Sequence, residues 1–123
     1  MNRTNNLLIR PLRLVLRGLF LSAFSFLLVP DLAAETIKVE IYKYQYHPKV
    51  VQVRVGDTVR WVNRERRQYH SVQLHRDGSD DESLDSGYLF PQEQWEQTFT
   101  QLGRYSYLCG PHPDMSGRVE VVE

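Results

Sequence analysis

The chain is poor in cysteine, in excess charge and in long apolar runs. One Cys in 123 residues excludes an internal disulfide, and with it a disulfide-stapled scaffold. It also excludes an iron–sulfur centre, which needs several thiolates. Lys+Arg and Asp+Glu number 15 each, for a formal net charge of zero, so the basic excess of a nucleic-acid binder is missing. No apolar run reaches the ~20 residues of a comfortable bilayer crossing. Beyond residue 34 no stretch has the 3.6-residue periodicity of an amphipathic helix, and no internal repeat is present.

The zero charge is a sum over two unlike parts. Arg3, Arg10, Arg13 and Arg17 precede an apolar run from Gly18 to Val29, and Pro30-Asp31-Leu32-Ala33-Ala34 follows it. A basic start, about a dozen apolar residues and a small-residue end make the pattern of a secretory signal peptide. Cleavage is expected after Ala34, and an uncleaved membrane anchor is the alternative. No Arg pair and no Cys following the run mark a twin-arginine or lipoprotein signal. Residues 35–123 then form a single, mildly acidic domain of about ninety residues, a size at which the core is modest. Its lone thiol is exposed to oxidation or pairing in an exported protein unless something occupies it.

From Thr36 onward the apolar pattern has a period of two. Ile37, Val39 and Ile41 alternate with Lys38 and Glu40, and Val51, Val53 and Val55 with Gln52 and Arg54. Such alternation suits strands with one buried face. Gly56-Asp57 marks a turn into Thr58–Val62. Tyr69–Leu74, Gln94–Thr100, Arg104–Cys109 and Gly117–Val122 are further strands, and Gln101-Leu102-Gly103 is short enough to close a hairpin. Seven or eight short strands predict an all-β, two-sheet β-sandwich. His75–Gly87 reads as a polar surface loop. Its Asp77, Asp80, Asp81, Glu82 and Asp85 are expected either to steer a basic partner or simply to be solvated, while Arg64, Arg66 and Arg67 lie just before His70.

The chemistry concentrates in Cys109-Gly110-Pro111-His112-Pro113-Asp114-Met115. A thiolate, an imidazole and a thioether fall in one inter-strand loop that Gly110, Pro111 and Pro113 bend and stiffen. His70 is the best fourth ligand; it shares a strand face with Val72 and Leu74, whereas His75 points the other way and His47 has no ligand-like neighbour. Zinc disfavours thioether. Two imidazoles, one thiolate and a weak axial thioether instead suit a blue-copper electron-transfer centre. Each residue taken singly has a plainer role, Cys109 and Met115 as core and His112 as a surface residue; their joint spacing is the signal.

The segments Val53–Asn63, His70-Ser71-Val72 and Gly103–Cys109, with the Cys-x2-His-x2-Met spacing, resemble the cupredoxins, small periplasmic blue copper proteins, over nearly all of residues 35–123. The short ligand loop is similar to that of amicyanin and shorter than those of plastocyanin and pseudoazurin. The resemblance implies a Greek-key β-sandwich holding one type 1 copper ion, with His70, Cys109 and His112 as strong equatorial ligands and Met115 axial. It implies a monomeric periplasmic shuttle of single electrons, not an enzyme, with His112 as the electron port. Its partners would be redox proteins such as a c-type cytochrome or a periplasmic dehydrogenase or reductase. One departure is Ser71, where many relatives carry an Asn that ties the two ligand loops together; its hydroxyl has a shorter reach for the same bond. A copper carrier or store is the alternative with the same ligands. A copper enzyme needs a second metal site, and only His47 and His75 are left over for one.

Overall fold

Period-two burial organises the chain in the computed structural model, which describes residues 32–81 and 83–123. The export segment expected over residues 1–34 lies, up to Asp31, outside the described residues, as does Glu82 of the acidic loop. On β1 (Thr36–Tyr42) Val39 and Ile41 are buried, and on β3 (Val50–Arg54) Val51 and Val53 are buried, each between more exposed neighbours. Val55, expected to continue β3, instead lies exposed in the turn after it. Gly56 makes that turn at φ +98°, a conformation that disfavours any side chain.

Nine strands form two sheets among the described residues. β2 (Gln45–His47), β1, β4 (Thr58–Asn63) and β7 (Gln94–Thr98) make one; β3, β9 (Ser116–Val122), β8 (Gly103–Leu108), β5 (Gln73–Arg76) and β6 (Leu84–Asp85) make the other. β1 runs parallel to β4, and β3 parallel to β9, so consecutive strands repeatedly cross between the sheets. The two inner faces meet through Trp61 of β4 and Tyr107 of β8, both essentially inaccessible, with ring centroids 5.3 Å apart in an edge-to-face contact. Tyr107 lies directly over Gly117, its register partner; a Cβ there would stand 2.3 Å from the ring.

Three expectations are corrected. Gln101-Leu102-Gly103 does not close a hairpin, because β7 pairs with β4 and β8 with β5 and β9, in opposite sheets. Phe99 is the cause: its backbone bonds to Gly56 and Asp57, and its buried ring packs on Tyr105 at 4.9 Å, carrying the chain across the sandwich. Tyr69–Leu74 is not a strand throughout. His70 pairs only with Leu89 as an isolated bridge, and β5 begins at Gln73. Finally, the polar loop is shorter than His75–Gly87, since its ends enter β5 and β6.

Strand directions sort the loops to two ends. The β1–β2, β4–β5, β6–β7 and β8–β9 connections gather at one end. The β3–β4 turn and the acidic loop after β5 lie at the other, where the Asp77 N–H donates to the Arg104 carbonyl.

Candidate metal centre

β8 delivers Cys109 one residue past its last strand position, and β9 begins just after Met115. Between them the backbone folds on itself. The Cys109 N–H donates to the Met115 carbonyl (3.1 Å), the His112 N–H to that of Cys109 (3.2 Å), and the Met115 N–H to that of His112 (2.9 Å). The fixed φ of Pro111 and Pro113 removes freedom that this tight loop would otherwise have to lose.

Asn63, fully buried at the end of β4, shapes the opposing loop. Its amide donates to the carbonyls of Gln68 and Leu89, both at 2.8 Å, and its oxygen accepts from the Glu65 N–H at 2.9 Å. His70 then exchanges both backbone hydrogen bonds with Leu89, at 3.1 and 2.7 Å, and its imidazole is fully buried.

Three donors converge from these loops. Cys109 Sγ lies 3.7 Å from His70 Nδ1 and 3.6 Å from His112 Nδ1, and all three lie within 4.8 Å of one another. The thiol is completely buried and has no disulfide partner. On the far side of His70, Nε2 faces Glu65 Oε1 at 3.8 Å and has no hydrogen-bond partner of its own. A proton on Nε2, drawn toward that carboxylate, leaves the Nδ1 lone pair pointing at the sulfur. Burial, and then the neighbouring His112, hold the imidazole below its ordinary pKa, with Glu65 partly opposing them. The neutral form, the one that ligates a metal, is therefore favoured.

Met115 is buried beside the cluster and joins it through its two backbone bonds to Cys109 and His112. His47 and His75 stay apart. Both are exposed, His47 against the Tyr42 carbonyl and His75 near Asp77. Among the described residues His70, Cys109 and His112 are the single such grouping of His, Cys and carboxylate donors.

Ser71 makes the loop tie despite its length. Its hydroxyl accepts from the Gly110 N–H at 2.9 Å, and its own N–H points at Cys109 Sγ at 3.4 Å. The Ser71 carbonyl accepts from the Tyr46 hydroxyl at 2.6 Å, and burial pushes that phenol well above its usual pKa. Two further residues went unnoticed in the sequence. Glu65, besides facing His70, accepts from the Tyr44 N–H at 3.0 Å. Tyr44 stands edge-on to both imidazoles, with centroids 5.5 Å from His70 and 4.9 Å from His112. Neither has a ligand-like spacing: Glu65 lies five residues before His70 in the same connection, and Tyr44 reaches both imidazoles from the turn between β1 and β2. His112 itself is half-buried and borders an open cleft of about 690 Å³, shared with Tyr44, Lys49 and Pro111.

The donor set fits a type 1 copper site: two imidazoles and a thiol with donor atoms within 4.8 Å of one another, and a thioether residue adjacent. The comparisons agree. The family of copper binding proteins of the plastocyanin/azurin type matches residues 33–122. Amicyanin of Paracoccus denitrificans is 36% identical over 91 residues, covering 74% of this chain and 69% of the relative. A solved structure of the Cu(I) form of an amicyanin variant is similar with a TM-score of 0.66 and 36% identity, covering 75% of this chain and 87% of that one. A copper-containing nitrite reductase of Thermus scotoductus also matches, with a TM-score of 0.65 and 29% identity over 72% of this chain, but over only 22% of its own. With the fold, the donor set and the sequence match in accord, the chain belongs to the copper-binding proteins of the plastocyanin/azurin family.

Proposed function

We propose that this protein is an exported carrier of single electrons, with His70, Cys109 and His112 as the equatorial ligands of one copper ion and Met115 as the axial one. Bound copper supplies the Cu(II)/Cu(I) couple. The rest follows from the chain's own groups. The observation that carries the reading is the lone thiol of Cys109, fully buried with two imidazole Nδ1 atoms aimed at it. His70 is pinned by Leu89, Asn63 and Glu65, so its ring has little room to turn. A ligand frame held this rigidly reorganises little when charge changes, which is what rapid electron exchange demands. His112 reaches the surface between two prolines and gives the site its port.

Residues 1–34 direct export to the periplasm and residues 35–123 remain as the working domain, a monomer that meets redox proteins such as a c-type cytochrome or a periplasmic dehydrogenase or reductase. The mass of the exported protein tests the cut after Ala34. The nitrite reductase likeness does not favour an enzyme here, since this chain corresponds to about a fifth of that one and His47 and His75 form no second cluster.

Titration with Cu(II) followed by visible spectroscopy tests the function. An intense absorption toward the red, bleached by reductant and absent in Cys109→Ser, is the expected result. A colourless copper adduct of the unaltered protein would instead indicate a copper carrier or store.

A further inference from the structure

We propose that Trp95 is a second electron contact of this protein: a hole made on its indole by a radical oxidant travels through Trp61 and Tyr107 to the thiolate of Cys109, where Cu(I) fills it. This rests on the electron-carrier reading and adds to it a route that does not pass through His112.

Both tryptophans of the chain lie on this route. Trp95 is the direct register partner of Trp61 across β4 and β7, so the two indoles share the inner face of their sheet. Their ring centroids stand 5.3 Å apart, with planes 32° from parallel. Because β7 is an edge strand, Trp95 is partly open to solvent, whereas Trp61 behind it is fully buried. Trp61 then meets Tyr107 of the opposite sheet at 5.3 Å. Tyr107 and Cys109 are both buried and stand two residues along the chain, about 7 Å at strand rise. A side link runs through Tyr46, 4.8 Å from the Tyr107 ring. Its hydroxyl donates to the carbonyl of Ser71, the residue whose N–H points at Cys109 Sγ.

Electron tunnelling weakens steeply with distance, and indole is among the side chains that yield an electron most readily. Rings in contact therefore divide one long transfer into short ones. Tyr107 is the bridge and not a resting place: its hydroxyl has no hydrogen-bond partner to take the proton, and burial pushes its pKa up to about 12. Trp61 Nε1 is equally buried and unpartnered, so an electron lost from that indole leaves a radical cation with no base beside it, one that is refilled and not deprotonated. A phenylalanine at this position would bury no unpaired N–H; the cost is intelligible where the ring carries charge. The balance is one electron. The oxidant takes it from Trp95, Trp95 takes one from Trp61, and Trp61 takes one from Cu(I), which ends as Cu(II); no proton moves. The sequence as a whole runs downhill, since an indole radical cation is a far stronger oxidant than Cu(II).

Pulse radiolysis of the reduced, copper-loaded protein tests the route, with the dibromide radical anion as oxidant; it takes one electron from an accessible indole and leaves bromide. The expected result is an indole radical absorption that decays at a rate independent of protein concentration, with a blue absorption rising in step. In the protein loaded with Zn(II), which has no electron to give, the radical should persist and Trp95 should carry oxidation products by mass spectrometry. Trp95→Phe should lose the early radical, and Trp61→Phe should keep it but slow its decay manyfold. Ferricyanide, too weak an oxidant for indole, should oxidise both variants at the parent rate. Trp95→Phe lies at the sheet edge and spares the core, so it decides the case even where Trp61→Phe loosens the packing. Three results overturn the route and leave the carrier reading intact: a radical as long-lived with Cu(I) as with Zn(II), a decay indifferent to Trp61→Phe, or blue absorption rising as fast in Trp95→Phe. A copper-loaded protein that turns blue with neither oxidant overturns both.

Discussion

The two ends of the sandwich are built on different principles. At the end holding the β3–β4 turn, Asp57 satisfies the N–H groups of Glu35 and Arg54, each at 2.8 Å, and neighbouring backbone bonds close the turn on Phe99. Everything needed there is supplied by the chain. At the other end a buried thiol faces the Nδ1 atoms of two imidazoles, and the loops converge on a centre that a metal completes. One end closes itself; the other is shaped for a guest. Metal binding at the second end adds its free energy to the stability of the whole cooperative fold.

The sharpest way to break this contrast is to remove the thiol. Cys109→Ser should lose the coloured site and with it the copper-dependent rise in melting temperature, a stabilisation of about 4 kcal/mol at a thousandfold excess over the dissociation constant. The metal-free variant should melt close to the metal-free parent. Equal copper-induced shifts in the two proteins would show that the metal binds elsewhere. Next in size is Asn63→Ala, which strips the carbonyls of Gln68 and Leu89 and the N–H of Glu65 of their partner. A loss of about 3 kcal/mol in denaturant unfolding is expected. Because Asn63 shapes the loop before His70, copper affinity should fall as well. Glu65→Gln keeps size and hydrogen bonding but removes the charge facing His70 Nε2. It should weaken copper binding about tenfold, as for other outer-shell partners of ligand histidines. Competition with a chelator measures this, and an unchanged affinity would deny Glu65 a role in orienting the ring.

How much of this was legible beforehand differs between the ends in the same way. Period two exposed most strands because one face of each is buried, and the ligand loop was readable because Cys109, His112 and Met115 are neighbours in sequence. His70 was found by its strand-like surroundings, although the strand begins only at Gln73. What escaped the sequence was tertiary. Phe99 sends the chain across the sandwich where loop length alone suggested a hairpin. Glu65 and Tyr44 reach the site from loops with no ligand spacing. The acidic run, expected either to steer a partner or simply to be solvated, lies at the far end from Cys109, a placement that only strand direction reveals.

Asp57 gives the smallest effect and the cleanest control. Its two backbone hydrogen bonds, from Glu35 and Arg54, hold its carboxyl below the ordinary carboxylate value. A carboxyl whose folded pKa is depressed stabilises the fold above its unfolded pKa and loses that contribution as pH falls through the folded value. The melting-temperature gap between the parent and Asp57→Asn should therefore be constant near neutrality and narrow once pH drops below about 4. Since this turn lies at the self-sufficient end, the gap at neutral pH should be the same with and without copper. A gap that widened in the metal-loaded protein would couple the two ends and undo the contrast between them.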